Sequence, residues 1–243
     1  GSIMLQNTIA HRKSYGLQNM ADFKAKVLES HFDGMLLHID THELWVKLVG
    51  GFNAYNLLAV YATAILLEQE TSKVLVALSE ISGAEGRFET IRSGNGIVGI
   101  VDYAHTPDAV ENVLETIKDL RNVGQQIITV LGCGGDRDKT KRPEMAKVAL
   151  KYSDKLIITS DNPRTEDPIG IIKDMEAGVE VDNKKNTFSI TDRREAIRAA
   201  CHLANPGDIV LVAGKGHEKY QEINGVRHHF DDREELEKTF NEQ

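Results

Sequence analysis

Two arginines and one glutamate raise the first chemical question. Arg137 stands in "GGDRD", Arg164 ends "SDNPR" and Glu218 ends "GKGHE". A guanidinium offers a planar fork of donors that matches a carboxylate. A glutamate offers an acceptor to an ammonium. Gly214 and Gly216 precede that glutamate, and glycine lets a backbone carbonyl come close to a ligand. The set describes a pocket for an amino acid, with a cationic end and an anionic end. Asp161, Asn162 and Pro163 lead into Arg164, so one turn holds an acid, an amide and a base. Taken singly, Asp161 reads as a turn cap and the stretch as a solvated turn. Taken together, the residues suit a small zwitterion.

The surrounding pattern explains how such loops come to share one site. Runs "GIVGIVDY" (96–103), "QIITVL" (126–131), "KLIITS" (155–160), "TFSI" (187–190) and "DIVLVA" (208–213) alternate with helical spacings near 107–121, 143–152, 168–179 and after Asp192. Thr106 and Asp192 fit N-caps, with Pro107 at a first helical position and Glu195 completing a capping box. Strands that are β-branched throughout and alternate with helices predict a mostly parallel, Rossmann-like α/β sheet covered on both faces. Ligands of such sheets bind outside the carboxyl ends of the strands. Here those ends are "DYAHTP", "GCGGDRDKTKR", "DNPRTEDP", "TDRR" and "GKGHE". Asn224-Gly225 predicts a hairpin that could add an antiparallel edge, and a last helix is expected over 232–241. Residues 21–50 alternate as a three-stranded antiparallel meander. A helix over 53–69 follows, with Leu57, Tyr61 and Ile65 on one face. That segment is thin for an independent domain and reads as an incomplete piece of a larger one.

Composition narrows the function. The 243 residues carry 41% hydrophobic residues and a net charge of −8, which suits a globular chain and disfavours nucleic-acid backbones as partners. The apolar run 57–67 is too short for a membrane span. Two cysteines give no disulfide framework, and Cys133 has no evident base to make it a nucleophile. The nine histidines form no H-E-x-x-H motif, and no metal site is expected in these residues. The expectation is a cytoplasmic protein with no membrane partner. "GCGGDRD" has Arg137 where a dinucleotide fingerprint needs its third glycine, and "GKGHE" lacks the Ser or Thr of a phosphate loop.

Four motifs in order, "VDYAHTPDAVENVL", "GCGGDRDKTKRPEMAKVA", "TSDNPRTEDP" and "LVAGKGHEKYQ", resemble the C-terminal domain of Mur ligases. "GGFNAYNLLAVYA" and "GAEGRFE" resemble the end of that family's central, ATP-binding domain. The resemblance runs from about residue 33 onward. It implies a partial central domain over 1–85 and an amino-acid-binding C-terminal domain over 86–243. It implies an ATP- and Mg²⁺-dependent amide ligase of peptidoglycan synthesis. In that chemistry ATP phosphorylates the glutamate carboxylate of a UDP-N-acetylmuramoyl-dipeptide, the amine of meso-diaminopimelate attacks the acyl phosphate, and phosphate leaves.

By motif, the resemblance places Asp161, Asn162, Pro163 and Arg164 at the distal end of diaminopimelate and pairs Arg137 with a carboxylate. It gives the distal ammonium to Gly214, through its carbonyl, and to Glu218. It puts Asn56 near adenine, Arg87 at the phosphates and Asp102 at the ribose. His105, Lys139 and His217 receive no role. No catalytic residue is assigned. The family's UDP-binding domain, phosphate-binding glycine loop, Mg²⁺ ligands and carbamylated lysine have no counterpart in the sequence, so the chain alone is not expected to form the amide bond or to hold a cofactor tightly. Gly1-Ser2 reads equally as an expression scar or as native sequence. The competing readings are a non-catalytic amino-acid or nucleotide-binding module, a lysine-adding or folylpolyglutamate synthase-like ligase, and a dinucleotide-dependent oxidoreductase.

Overall fold

The computed structural model describes residues 8–18 and 20–243, so Gly1-Ser2 lies outside the described residues. The chain forms two compact units that meet between Ser82 and Gly83. The division falls at 82/83, against 85/86 from the resemblance. Residues 83–88 pack on the second unit: Glu85 pairs with Lys219, and Gly86 lies against Gly216 and His217.

In the first unit, the alternating segments form β1 (Tyr15–Gly16), β2 (Phe23–His31), β3 (Gly34–Ile39) and β4 (His42–Val46), in that order across one sheet. The β2–β3–β4 meander is antiparallel, as the alternation predicts, and the short β1 joins β2 in parallel. His38 and His42 stand four residues apart, but on adjoining strands across the turn at Asp40-Thr41 rather than on one helix face. Helix α1 (Gly51–Leu66) and a helix the periodicity did not single out, α2 (Thr71–Glu80), cover the sheet. Leu57, Leu58, Tyr61 and Leu78 pack there on Met35 and Leu37.

In the second unit, β-branched runs build a six-stranded sheet. Its strands are β5 (Glu89–Arg92), β6 (Val98–Asp102), β7 (Ile127–Cys133), β8 (Lys155–Ser160), β9 (Thr187–Ser189) and β10 (Ile209–Ala213), in the spatial order β5-β6-β10-β7-β8-β9. All neighbours are parallel except β5–β6. The antiparallel edge is therefore β5. The Asn224-Gly225 hairpin, β11 (Tyr220–Ile223) with β12 (Val226–His229), forms its own two-stranded sheet. Both turn residues have positive φ, 49° and 77°, which suits a turn whose twist matches the hairpin's.

Helices α3 (Pro107–Leu120), α4 (Lys141–Tyr152) and α5 (Pro168–Glu176) pack on one another as one layer. Helices α6 (Arg193–Leu203) and α7 (Asp232–Asn241) cover the opposite face, where Ile197, Cys201, Leu236 and Phe240 meet Val210 and Val212. Thr106, Asp167, Asp192 and Asp231 each accept backbone N–H groups at helix starts. The Asp192 cap forms as expected, but Glu195 turns to Arg198 rather than closing the capping box. Gly99 admits α7: a Cβ there would lie 2.6 Å from Leu236 Cδ2.

The Arg193–Asp232 ion pair of this second unit has both side chains fully buried. Arg193, fully buried, meets Asp232 through two bonds of 2.7 Å. It also donates to the carbonyls of Ser160 and Ala213, at the ends of β8 and β10. Replacing Arg193 by Met leaves a buried carboxylate without its partner, at roughly 3–5 kcal/mol. Urea unfolding should register that loss, and Arg193→Met/Asp232→Leu should recover much of it.

Candidate functional site

Because β10 lies between β6 and β7, the loop after Ala213 sits between the loops after Asp102 and Cys133. The loop after β8 lies next to them. A cavity of about 360 Å³ opens among these four strand ends. Its lining includes Arg137, Asp161, Asn162, Arg164, Gly214 and Glu218, six of the residues singled out by sequence. Pro163 does not line it. Pro163 is buried under Gly135, whose Cβ would lie 1.9 Å from the Pro163 carbonyl oxygen, so its place is in packing the two loops together.

The two arginines are held differently. Arg164 has φ 53°, and its Nη1 donates to the Gly135 carbonyl at 2.7 Å. Its backbone N–H donates to Glu222 O at 3.0 Å, and its carbonyl accepts from Asn224 N at 2.7 Å, which stitches the loop to the β11–β12 hairpin. Arg137 is exposed and makes no hydrogen bond or ion pair with the described residues. Its guanidinium is free for an anionic ligand.

Opposite in charge stands Glu218. Its Oε2 accepts from Asn162 Nδ2 at 2.7 Å, and its side chain keeps 20% exposure. Asn162 Oδ1 accepts from Lys215 Nζ at 3.1 Å and from Glu222 N at 2.9 Å. The amide therefore locks the "DNPR" loop to the "GKGHE" loop rather than being wholly free for a ligand. Asp161 is buried, and burial raises its carboxyl above the usual range while Arg193 and Lys215 oppose that rise. Gly214, at φ 120°, sits so close that a Cβ would be 2.8 Å from Asp161 Oδ2. Only glycine fits that combination of φ and contact. Burial, aided by the charge of Asp161, pushes the Cys133 thiol to about 12, so it stays protonated and is no nucleophile.

Three residues central to this architecture carry no signal in the sequence as site residues: Arg142, Arg193 and Lys215, the largest fully buried side chains among the described residues. All three belong to segments that are charged in the sequence, and such segments ordinarily face water. Arg142 binds Glu166 and Asp174 and reaches the Gly134 carbonyl. It thereby fastens the "GCGGDRD" loop to α5.

The expected nucleotide residues are placed as follows. Asn56 is exposed on α1, in the first unit. In the second unit, Arg87 lies over the Tyr103 ring at 5.0 Å, and the rings of His105 and His217 flank that tyrosine at 4.5 and 5.1 Å. Asp102 is buried, and its two oxygens accept the N–H groups of Phe88 and Ala104 at 2.7 Å each. Burial raises its carboxyl, and those two N–H groups oppose the rise. Among the described residues, no group of three or more His, Cys, Asp or Glu is arranged to hold a metal ion.

Glu166 gives the loop cluster a pH signature. Arg142 first, then Lys139 and the Asp136 N–H, hold its carboxyl down to about 2. A carboxyl lowered on folding contributes stability that is complete above its unfolded value, about 4.3, and is lost as pH falls toward its folded value. Urea midpoints should therefore decline between about pH 4.5 and pH 2. Glu166→Gln should lower the neutral-pH midpoint and flatten that decline.

Known proteins share this fold and much of this sequence. The family described as "Mur ligase, glutamate ligase domain" matches residues 86–216. A UDP-N-acetylmuramoyl-L-alanyl-D-glutamate–2,6-diaminopimelate ligase of Bacteroides thetaiotaomicron is 56% identical over 241 residues, which is 99% of this chain and 50% of that protein. A ligase of the same name from Bacillus velezensis is 46% identical over 233 residues, 93% of this chain and 46% of that protein. The chain thus spans about half the length of the curated relatives it matches. A solved structure of a ligase of that name superposes with a TM-score of 0.67 at 41% identity, covering 95% of this chain and 47% of that one. A folylpolyglutamate synthase from Thermotoga maritima shares the fold, with a TM-score of 0.59 at 20% identity, over 79% of this chain and 44% of that one. The family match takes in more than half of the residues, from the "GRFE" segment to the "GKG" of the last site loop, and on that ground the chain belongs to the Mur ligase family.

Proposed function

We propose that the chain is the amino-acid-binding part of an ATP-dependent ligase that adds meso-diaminopimelate to a UDP-N-acetylmuramoyl-L-alanyl-D-glutamate acceptor. The observation that supports this most is the charge layout of the cavity. Arg137 and Arg164 line it together with Glu218, so cationic and anionic groups converge on one small volume. A zwitterionic end group matches that layout. Its carboxylate would be read by the two guanidiniums, and its ammonium by Glu218 and the Gly214 carbonyl. Asn162 and Asp161 act from beneath, Asn162 by fixing Glu218 and Asp161 by balancing the buried cations. Pro163 packs the loop that presents Arg164.

ATP with Mg²⁺ would supply the phosphoryl group that activates the acceptor carboxylate. This chain's share of nucleotide binding would come from Arg87 at the phosphates, Asp102 at the ribose and Asn56 near adenine. The exposed guanidinium of Arg87 fits that part. Asp102, its oxygens already engaged by two backbone N–H groups, holds the backbone around Phe88 and Ala104 in place while offering its remaining lone pairs. A cytoplasmic location accords with dependence on ATP. Among the described residues, no helix is long and apolar enough to cross a membrane.

Calorimetric titration of the 243-residue chain with meso-diaminopimelate, lysine and ATP, each alone, tests the reading. Saturable binding of diaminopimelate with weaker binding of lysine is expected. Equal affinity for the two amino acids would overturn the assignment of a distal carboxylate to the arginines. The arginines should also separate. Arg137→Ala, which removes no hydrogen bond or ion pair with the described residues, should weaken diaminopimelate by roughly 1 kcal/mol while changing stability by under about 0.5 kcal/mol. Arg164→Ala, which also loses the bond to Gly135, should reduce both affinity and the unfolding midpoint.

A further inference from the structure

Lys215 occupies the middle of "GKGHE" and is completely buried. Its Nζ donates to Asn162 Oδ1 at 3.1 Å and lies 3.5 Å from Glu218 Oε2 and 3.7 Å from Asp161 Oδ1. The Tyr220 ring stands 5.4 Å away and also carries Arg227, which pairs outward with Glu222. A ligand in the cavity meets Asp161, Asn162 and Glu218, whereas the lysine is absent from the lining. We infer that Lys215 is a positioning residue that sets the charge of the pocket floor, holding it at one net negative charge for a ligand ammonium to neutralise. The inference rests on the amino-acid reading of the cavity.

Arg193 and Asp232 form a closed bidentate pair and cancel. Lys215 then faces two carboxylates, Asp161 and Glu218, so one positive charge is set against two negative ones. The two carboxylates share Lys215 at 3.7 and 3.5 Å, and Glu218, with 20% side-chain exposure against 8% for Asp161, is the more open of the two to a ligand. Without Lys215, Asp161 and Glu218 would stand together with no cation between them, and the floor would carry two negative charges in place of one. Without Asp161, Lys215 would neutralise Glu218 outright, and the floor would have no charge left to offer. The lysine thus determines how much of the Glu218 charge a ligand meets, and it does so without touching the ligand.

Charge-count variants separate this role from simple structural support. The probes are meso-diaminopimelate and 2-aminopimelate, which keeps both carboxylates and lacks one ammonium. Asp161→Asn brings the floor to zero, and the preference for diaminopimelate over 2-aminopimelate should fall by about tenfold or more. Lys215→Met/Asp161→Asn restores one negative charge, and the preference should return to within about threefold of the parent chain. Structural support alone predicts the opposite, a double variant at least as impaired as the worse single one. An unchanged preference in Asp161→Asn, or no recovery in the double variant, would overturn the inference. A readout without ligand stands beside it. The thermal midpoint of Lys215→Met should lie below that of the parent, and adding Asp161→Asn should raise it again. A double variant less stable than both single ones would sink the charge-balance role. If the parent chain fails to bind diaminopimelate, the proposed function fails, while the unfolding cycle still decides the role of Lys215.

Discussion

Three cations buried under the strand ends organise everything above them. Arg142, Arg193 and Lys215 are the largest fully buried side chains among the described residues. Burying a charge is costly unless it is paired and hydrogen-bonded. Each of these has carboxylates within reach: Glu166 and Asp174 for Arg142, Asp232 for Arg193, and Asp161 and Glu218 for Lys215. The partners come from different loops and helices. Meeting the electrostatic requirement of each cation therefore fixes the position of segments that are distant in sequence. Arg193 also caps the carbonyls at the ends of β8 and β10, on either side of β7, where the sheet's own ladder has stopped.

The glycines work with these cations. Gly135 rests on Pro163, and Gly86 on Gly216 and His217, at distances that leave no room for a Cβ. Gly214 brings its loop down onto Asp161. Close backbone approach and buried charge reinforce each other here. The loops pack tightly enough to exclude water, and exclusion of water strengthens the ion pairs that hold the loops. The result is a rigid floor under a small cavity, with Arg137 at the exposed rim. A rigid floor with a free guanidinium at the rim suits capture of a small charged ligand whose two ends must be distinguished.

Within each unit, the elements with the strongest local signals form where the pattern places them. The β-branched strands, the Thr106 and Asp192 caps, and the Asn224-Gly225 turn are all set by short-range chemistry. The elements not foreseen have weak local signals. Helix Thr71–Glu80 is short and buries only Val74 and Leu78 fully, and strand Glu89–Arg92 is an edge of mixed polarity. The hairpin shows the limit clearly. Its turn residues specify a hairpin but not the sheet it joins: β11 and β12 pair with each other, and Ile223 bridges to Arg164 rather than to either edge strand, β5 or β9.

The same division holds for the site. The sequence by itself determined which residue types end each parallel strand, and hence that Arg137, Arg164, Gly214 and Glu218 would gather at one end of the sheet. Strand direction is a local consequence of β–α alternation. Only the tertiary structure decided which of these groups are free and which are already used. Asn162 is committed to Glu218 and Lys215, Pro163 to packing, and both oxygens of Asp102 to backbone N–H groups, while Arg137 keeps its guanidinium open. Whether a charge faces water or a partner depends on what folds over it from elsewhere in the chain. A sequence writes a buried Lys215 and an exposed lysine with the same letter.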